Sequence, residues 1–73
     1  MREEIKTLLT EALPMVDFDS DFLFGQLDSF GVITILTLLS NKYSIQLRMQ
    51  DATPKNLLSL DAIVNMVKTK LEQ

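Results

Sequence analysis

Apolar residues recur at helical spacing in three stretches of the chain. In the first, Ile5, Leu8, Leu9, Ala12 and Leu13 fall at i, i+3, i+4, i+7 and i+8, one stripe of an amphipathic helix. Glu3 and Glu4 occupy its first turn, where the helix dipole favours acids. Pro14 predicts the stop, because proline disfavours helical geometry at the residue before it, here Leu13. In the second stretch Val32, Ile35, Leu36, Leu39 and Tyr43 form a core stripe. That helix starts at Asp28 or Ser29, both good N-cap types, and frays near Tyr43–Ser44. In the third, Ser59 caps a helix whose buried stripe is Leu60, Ile63, Val64, Val67 and Leu71, with Met66 beside it. Lys68 and Lys70 near its end complement the dipole.

The connections differ in character. From Pro14 to about Leu27, Asp17, Asp19 and Asp21 alternate with Phe18, Ser20 and Phe22, and Phe24 and Gly25 follow. Gly25 supplies a turn, and the phenylalanines are expected to fold back over the core as an ordered loop. Loops this long in compact domains are uncommon and often functional. The run Ile45–Gln46–Leu47 into Arg48–Gln50 is too short to assign. Thr53–Pro54 reads as an N-cap followed by proline at the first helical position, predicting a short helix over Pro54–Leu58. There is no internal repeat. The expected fold is all-α, a small, mostly antiparallel bundle of three main helices plus one short helix.

Composition bounds what such a bundle does. A chain of 73 residues is expected to form a single domain, 1–73, with one core. A domain this small buries only about 60% of its unfolded surface, so its stability is marginal. The formal charge of −3 and the pI near 4.6 make nucleic acid a poor partner, since phosphate contacts need a basic face. With no cysteine, a disulfide and a thiolate metal site are excluded. With no histidine, the usual general base and the commonest metal ligand are missing, so no autonomous enzyme is expected. Met1–Arg2–Glu3–Glu4 does not read as a signal peptide, and no apolar run approaches the ~20 residues of a membrane span. The cytoplasm is the expected compartment. Met15, Met49 and Met66 are expected to fill gaps in the core or at its edge.

The informative stretch is Leu23–Phe24–Gly25–Gln26–Leu27–Asp28–Ser29–Phe30–Gly31. It resembles the phosphopantetheine attachment signature of acyl carrier proteins, in which an acidic loop ends in Asp-Ser-Leu or Asp-Ser-Phe at the start of the second helix. Val32, Ile35, Leu36 and Leu39 match that family's core positions. Thr53–Pro54–Lys55–Asn56–Leu57 followed by Ser59–Leu60–Asp61–Ala62–Ile63 is similar to its third-to-fourth helix junction. The resemblance covers nearly the whole chain. It implies an acyl-carrier-like bundle with 4'-phosphopantetheine attached covalently to Ser29. Asp28 would support the site by helping to hold magnesium and coenzyme A during transfer, and it also serves as an N-cap. A phosphodiester on Ser29 suits a helix N-terminus, where free N–H groups and the dipole favour an anion.

The resemblance also implies the partners. They are a phosphopantetheinyl transferase, an acyl- or aminoacyl-loading ligase, and the acyl-transferring enzymes of fatty-acid, polyketide or nonribosomal peptide biosynthesis. A monomer is expected. Two cargo classes stay open: a fatty-acid or polyketide intermediate, or an aminoacyl or D-alanyl-type group loaded by an adenylating ligase. Ser29–Phe30–Gly31 and Thr53–Pro54–Lys55–Asn56 lean toward the second. From a different class, the alternative is an unmodified helical interaction module.

Three further patterns bear on the site. Asp17–Phe18–Asp19–Ser20–Asp21 opens like a calcium loop, but Phe22 and Asp28 stand where that loop needs glycine and glutamate, so no metal site is expected. Ser29 does not sit in Gly-x-Ser-x-Gly, because Leu27 precedes it by two and no histidine exists to deprotonate it. Finally, Phe30, Ile33, Thr34, Thr37 and Asn41 define a second, solvent-facing side of the helix that begins at Ser29. The corresponding face of fatty-acid carriers bears glutamates, whereas no acid occurs here between Ser29 and Gln50. Partner docking is therefore expected on Phe30 and Ile33, with Thr34 and Thr37 beside them. Electrostatic steering would be confined to Asp17, Asp19, Asp21 and Asp28. The plainer alternative is that Ile33 packs against the loop.

Overall fold

Pro14 ends the first helix where the sequence places the stop. Helix α1 runs over Arg2–Ala12, and Leu13 leaves helical geometry at φ −130° and ψ 69°. The second helix, α2, spans Ser29–Tyr43 with Asp28 as its N-cap. The third, α3, spans Leu60–Leu71, and the Ser59 hydroxyl accepts from the Ala62 amide at 3.2 Å. The computed structural model describes residues 1–73, and in it each of the three helices packs against the other two. No helix is long and apolar enough to cross a membrane.

One core sits between the helices. Ile5 and Leu9 come from α1, Ile35, Leu36 and Leu39 from α2, and Leu60, Ile63, Val64, Met66 and Val67 from α3. Phe18, Leu23, Leu47 and Leu57 are equally buried and come from the connections, so the loops are part of the core. Val32 and Tyr43, expected in the α2 stripe, are half-buried at its edge, as is Leu8 in α1. Two stripe positions face water instead. Ala12 is exposed at the end of α1, and Leu71 is exposed because the last turn of α3 reaches past the packed residues. Of the methionines, Met66 is core, but Met15 and Met49 are exposed and fill no gap.

The 14–27 connection is ordered by its own polar groups. The amide of Asp17 donates to Gln26 Oε1 at 2.8 Å, and Gln26 Nε2 donates back to the Asp17 carbonyl at 3.3 Å. The Asp17 carboxylate accepts from the Asp19 amide at 3.0 Å, and Ser20 Oγ from the Phe22 amide at 3.1 Å, the local turns these residue types favour. Lys6 Nζ lies 3.0 Å from Asp19 and ties the loop to α1. Of the phenylalanines, Phe18 is buried and Phe24 partly so, while Phe22 lies outside. Gly25 sits in a short 3₁₀ turn, Leu23–Gln26, under the Phe22 ring. A Cβ at Gly25 would lie 2.7 Å from that ring, but Phe22 is exposed and its ring is free to swing aside, so the contact does not demand glycine.

The second connection is held from both ends. Ser44 caps α2 in the left-handed region, φ 54° and ψ 42°, and the Ile45 amide bonds back to the Ser40 carbonyl at 3.1 Å. Ser40 Oγ then accepts from the Leu47 amide at 3.1 Å. A 3₁₀ turn follows at Met49–Asp51. The segment expected as a short helix closes as a single turn. Thr53 caps it through Asn56 N at 3.1 Å, and Leu57 N reaches the Thr53 carbonyl at 3.1 Å. It goes no further because the Leu58 carbonyl accepts from the Leu23 amide at 2.7 Å and Ser59 is extended at φ −152° to cap α3.

Candidate functional site

The first turn of α2 is built by Asp28. Its backbone is extended, φ −102° and ψ −178°, and its Oδ1 accepts from the Gly31 amide at 2.8 Å. The Asp28 carbonyl accepts from the Val32 amide at 3.0 Å. Gly31 is buried in this turn, and a Cβ there would stand 3.4 Å from Asp28 Oδ1 and 3.5 Å from Leu27. These are ordinary contact distances, so alanine would fit here beside the cap.

Ser29 is the first helical residue and is exposed. With Gly31 and Val32 engaged by Asp28, the amides of Ser29 and Phe30 donate to no group of the chain. Two free N–H groups at the positive end of a 15-residue helix suit an anion carried on the Ser29 hydroxyl. The residues present therefore fit a phosphodiester.

The outward side of α2 is open. Phe30 is 72% and Ile33 53% exposed, and Thr37 and Asn41 are exposed one and two turns on. Ile33 therefore does not pack away against the 14–27 loop. Thr34 is half-buried, its hydroxyl donating to the Phe30 carbonyl at 2.8 Å, so it offers a methyl rather than a free hydroxyl. Clefts flank this side. One of about 390 Å³ runs between α2 and the 45–49 segment, with Ile33, Leu36, Ser40 and Met49 among its walls. Another of about 280 Å³ lies at the start of α2, walled by Leu13, Met15, Leu27, Asp28 and Phe30 among others. The site residues named from sequence thus lie together at one end and along one side of α2. Met15 and Met49 join them, and sequence periodicity gave no signal for either because both sit in turns.

The loop acids are not equivalent. Asp19 is neutralised by Lys6, and Asp17 and Asp28 each accept a backbone amide. Asp21 is exposed and unpaired. Steering by four free acids is therefore reduced to a field from Asp17, Asp21 and Asp28.

No protein-family model, curated protein or solved structure matches this chain.

Proposed function

We propose that the chain is a carrier protein of the cytoplasm that receives 4'-phosphopantetheine on Ser29 and carries an acyl or aminoacyl group between enzymes. The observation that supports this most is the first turn of α2. It presents an exposed Ser29 beside two unpartnered amides, held in place by the Asp28 cap.

Attachment would be performed by a phosphopantetheinyl transferase. Ser29 Oγ attacks phosphorus in the pyrophosphate of coenzyme A, forming the Oγ–P bond and losing its proton to a base of the transferase. The bond from that phosphorus to the bridging oxygen breaks, and adenosine 3',5'-bisphosphate leaves. Asp28 contributes in two ways: its cap fixes the Ser29 backbone, and its carboxylate would help to hold the magnesium and coenzyme A during transfer. When bound, the arm supplies a terminal thiol that holds the cargo as a thioester. The chain's own contribution thereafter is delivery, which raises the cargo's effective concentration at each enzyme. Phe30 and Ile33 provide apolar contacts for those enzymes. The Ser29–Phe30–Gly31 continuation favours loading by an adenylating ligase over loading with fatty acyl groups.

The test is to incubate the chain and its Ser29→Ala variant with coenzyme A, magnesium and a broad-specificity transferase, then measure intact mass. The wild type should gain one arm and the variant none. An unmodified wild type leaves the unmodified interaction module as the better reading.

A further inference from the structure

Met15 sits at the tip of a tight turn. The Val16 amide donates to the Leu13 carbonyl at 3.1 Å, closing a tight turn with Pro14 and Met15 at its tip. Pro14 suits the first central position, and the second, which has no positive φ, accepts most residue types. Leu13 and Val16 both pack on the core, so the turn fixes Met15 outward at 94% exposure. Met15 is among the residues at the 280 Å³ cleft that also includes Asp28 and Phe30, which flank Ser29. Met66, by contrast, is 5% exposed in the core.

We infer that Met15 is a peroxide-sensitive contact for the enzyme that installs the arm on Ser29, an inference that rests on the attachment proposed above. The cleft is apolar along Leu13, Leu27 and Phe30, carries the charge of Asp28, and has no lysine or arginine among its walls. It therefore suits a transferase that offers an apolar side chain with basic groups beside it. Methionine is suited to such a contact because its unbranched, polarisable side chain adapts to differing partners.

The same exposure opens the thioether to oxidation. A sulfur lone pair attacks one oxygen of hydrogen peroxide; the S–O bond forms, the O–O bond breaks, and the other oxygen leaves as water. Sulfur loses two electrons and the peroxide gains them. The sulfoxide is polar and strongly solvated, so burying it against an apolar partner costs free energy the thioether does not. Oxidation would thus lower docking at Ser29 and leave the fold intact, and sulfoxide reduction would restore it.

The experiment treats the folded chain with hydrogen peroxide, quenches with free methionine, and maps sulfoxides by peptide mass. Met15 should oxidise ahead of Met49, with Met66 protected. The rate of arm transfer from coenzyme A by a broad-specificity transferase, at limiting carrier, is then compared. Oxidised wild type should be about fivefold slower, the scale of losing part of one buried side chain. Met15→Leu, treated identically, should keep its untreated rate, and methionine sulfoxide reductases of both stereospecificities should rescue the wild type. An undiminished rate after oxidation, or equal loss in Met15→Leu, overturns the role of Met15. If untreated wild type takes no arm at all, the attachment reading falls, and the role of Met15 falls with it.

Discussion

Asp28 Oδ1 accepts the Gly31 amide at 2.8 Å, and this one bond fixes the backbone that presents Ser29. Capping and chemistry can be separated here, because asparagine caps a helix about as well as aspartate but carries no charge. Asp28→Asn should melt close to wild type, within about 0.5 kcal/mol, yet take the arm much more slowly. Asp28→Ala should lose about 1 kcal/mol as well. Thermal melts and initial transfer rates on the three proteins check this. Transfer to Asp28→Asn at the wild-type rate would mean that Asp28 acts only as a cap.

Leu36 lies at the centre of the core, between Val32 and Leu39 on α2, and is 5% exposed. Leu36→Ala removes about 2–5 kcal/mol, against a total near 5 kcal/mol for a domain this small. The variant should be largely unfolded at 37 °C by circular dichroism. A melt within a few degrees of wild type would contradict the packing described.

Asp51 ties the second connection to α3. Its Oδ2 accepts from the Arg48 amide at 2.9 Å, its Oδ1 lies 3.3 Å from Lys70 Nζ, and its carbonyl accepts from Asn56 Nδ2 at 2.9 Å. The Arg48 amide, helped by Lys70, holds this carboxyl below its ordinary value of 3.8 against the opposing effect of burial. A lowered pKa stabilises the fold above the unfolded value and is lost as pH falls through the folded one. Asp51→Asn should therefore cost about 1–2 kcal/mol at neutral pH, and the gap to wild type should close as pH falls below 3.8. Urea melts at pH 7, 5 and 3 measure it. A gap that persists undiminished at pH 3 would show that the carboxylate charge contributes nothing.

Ile33 is half-exposed and walls the larger cleft, so truncating it leaves the fold nearly unchanged and removes an apolar contact. Ile33→Ala should weaken affinity for a loading enzyme severalfold, roughly 1 kcal/mol of lost burial. Because only part of the loop charge is free, binding should depend modestly on salt, even where the Debye length falls to about 3 Å at 1 M. Steep salt dependence with no loss in Ile33→Ala would mean that the partner reads charge.

The helices were legible because each has punctuation as well as period. Pro14 stops α1, Asp28 and Ser59 cap α2 and α3, and the stripes between them recur at helical spacing. Leu23, Leu47 and Leu57 were not legible as core, because residues in connections follow no period and are buried by tertiary contact alone. The Lys6–Asp19 pair joins residues thirteen apart and removes a charge that the sequence leaves free. Gly25 reads as a turn residue, and it does lie in the Leu23–Gln26 turn. At the site, Ser29, Asp28, Phe30 and Ile33 were legible from the motif and the helical face. Met15 was not, because its exposure is set by the Leu13–Val16 turn.

The most direct measurement of the central claim is the mass of the chain recovered from the cells that make it, followed by fragmentation of the peptide spanning Ser29. The chain should carry a phosphopantetheine addition, with or without cargo on its thiol, located on the Ser29 hydroxyl. A chain that carries no addition in those cells, or one that carries it on another residue, would contradict it.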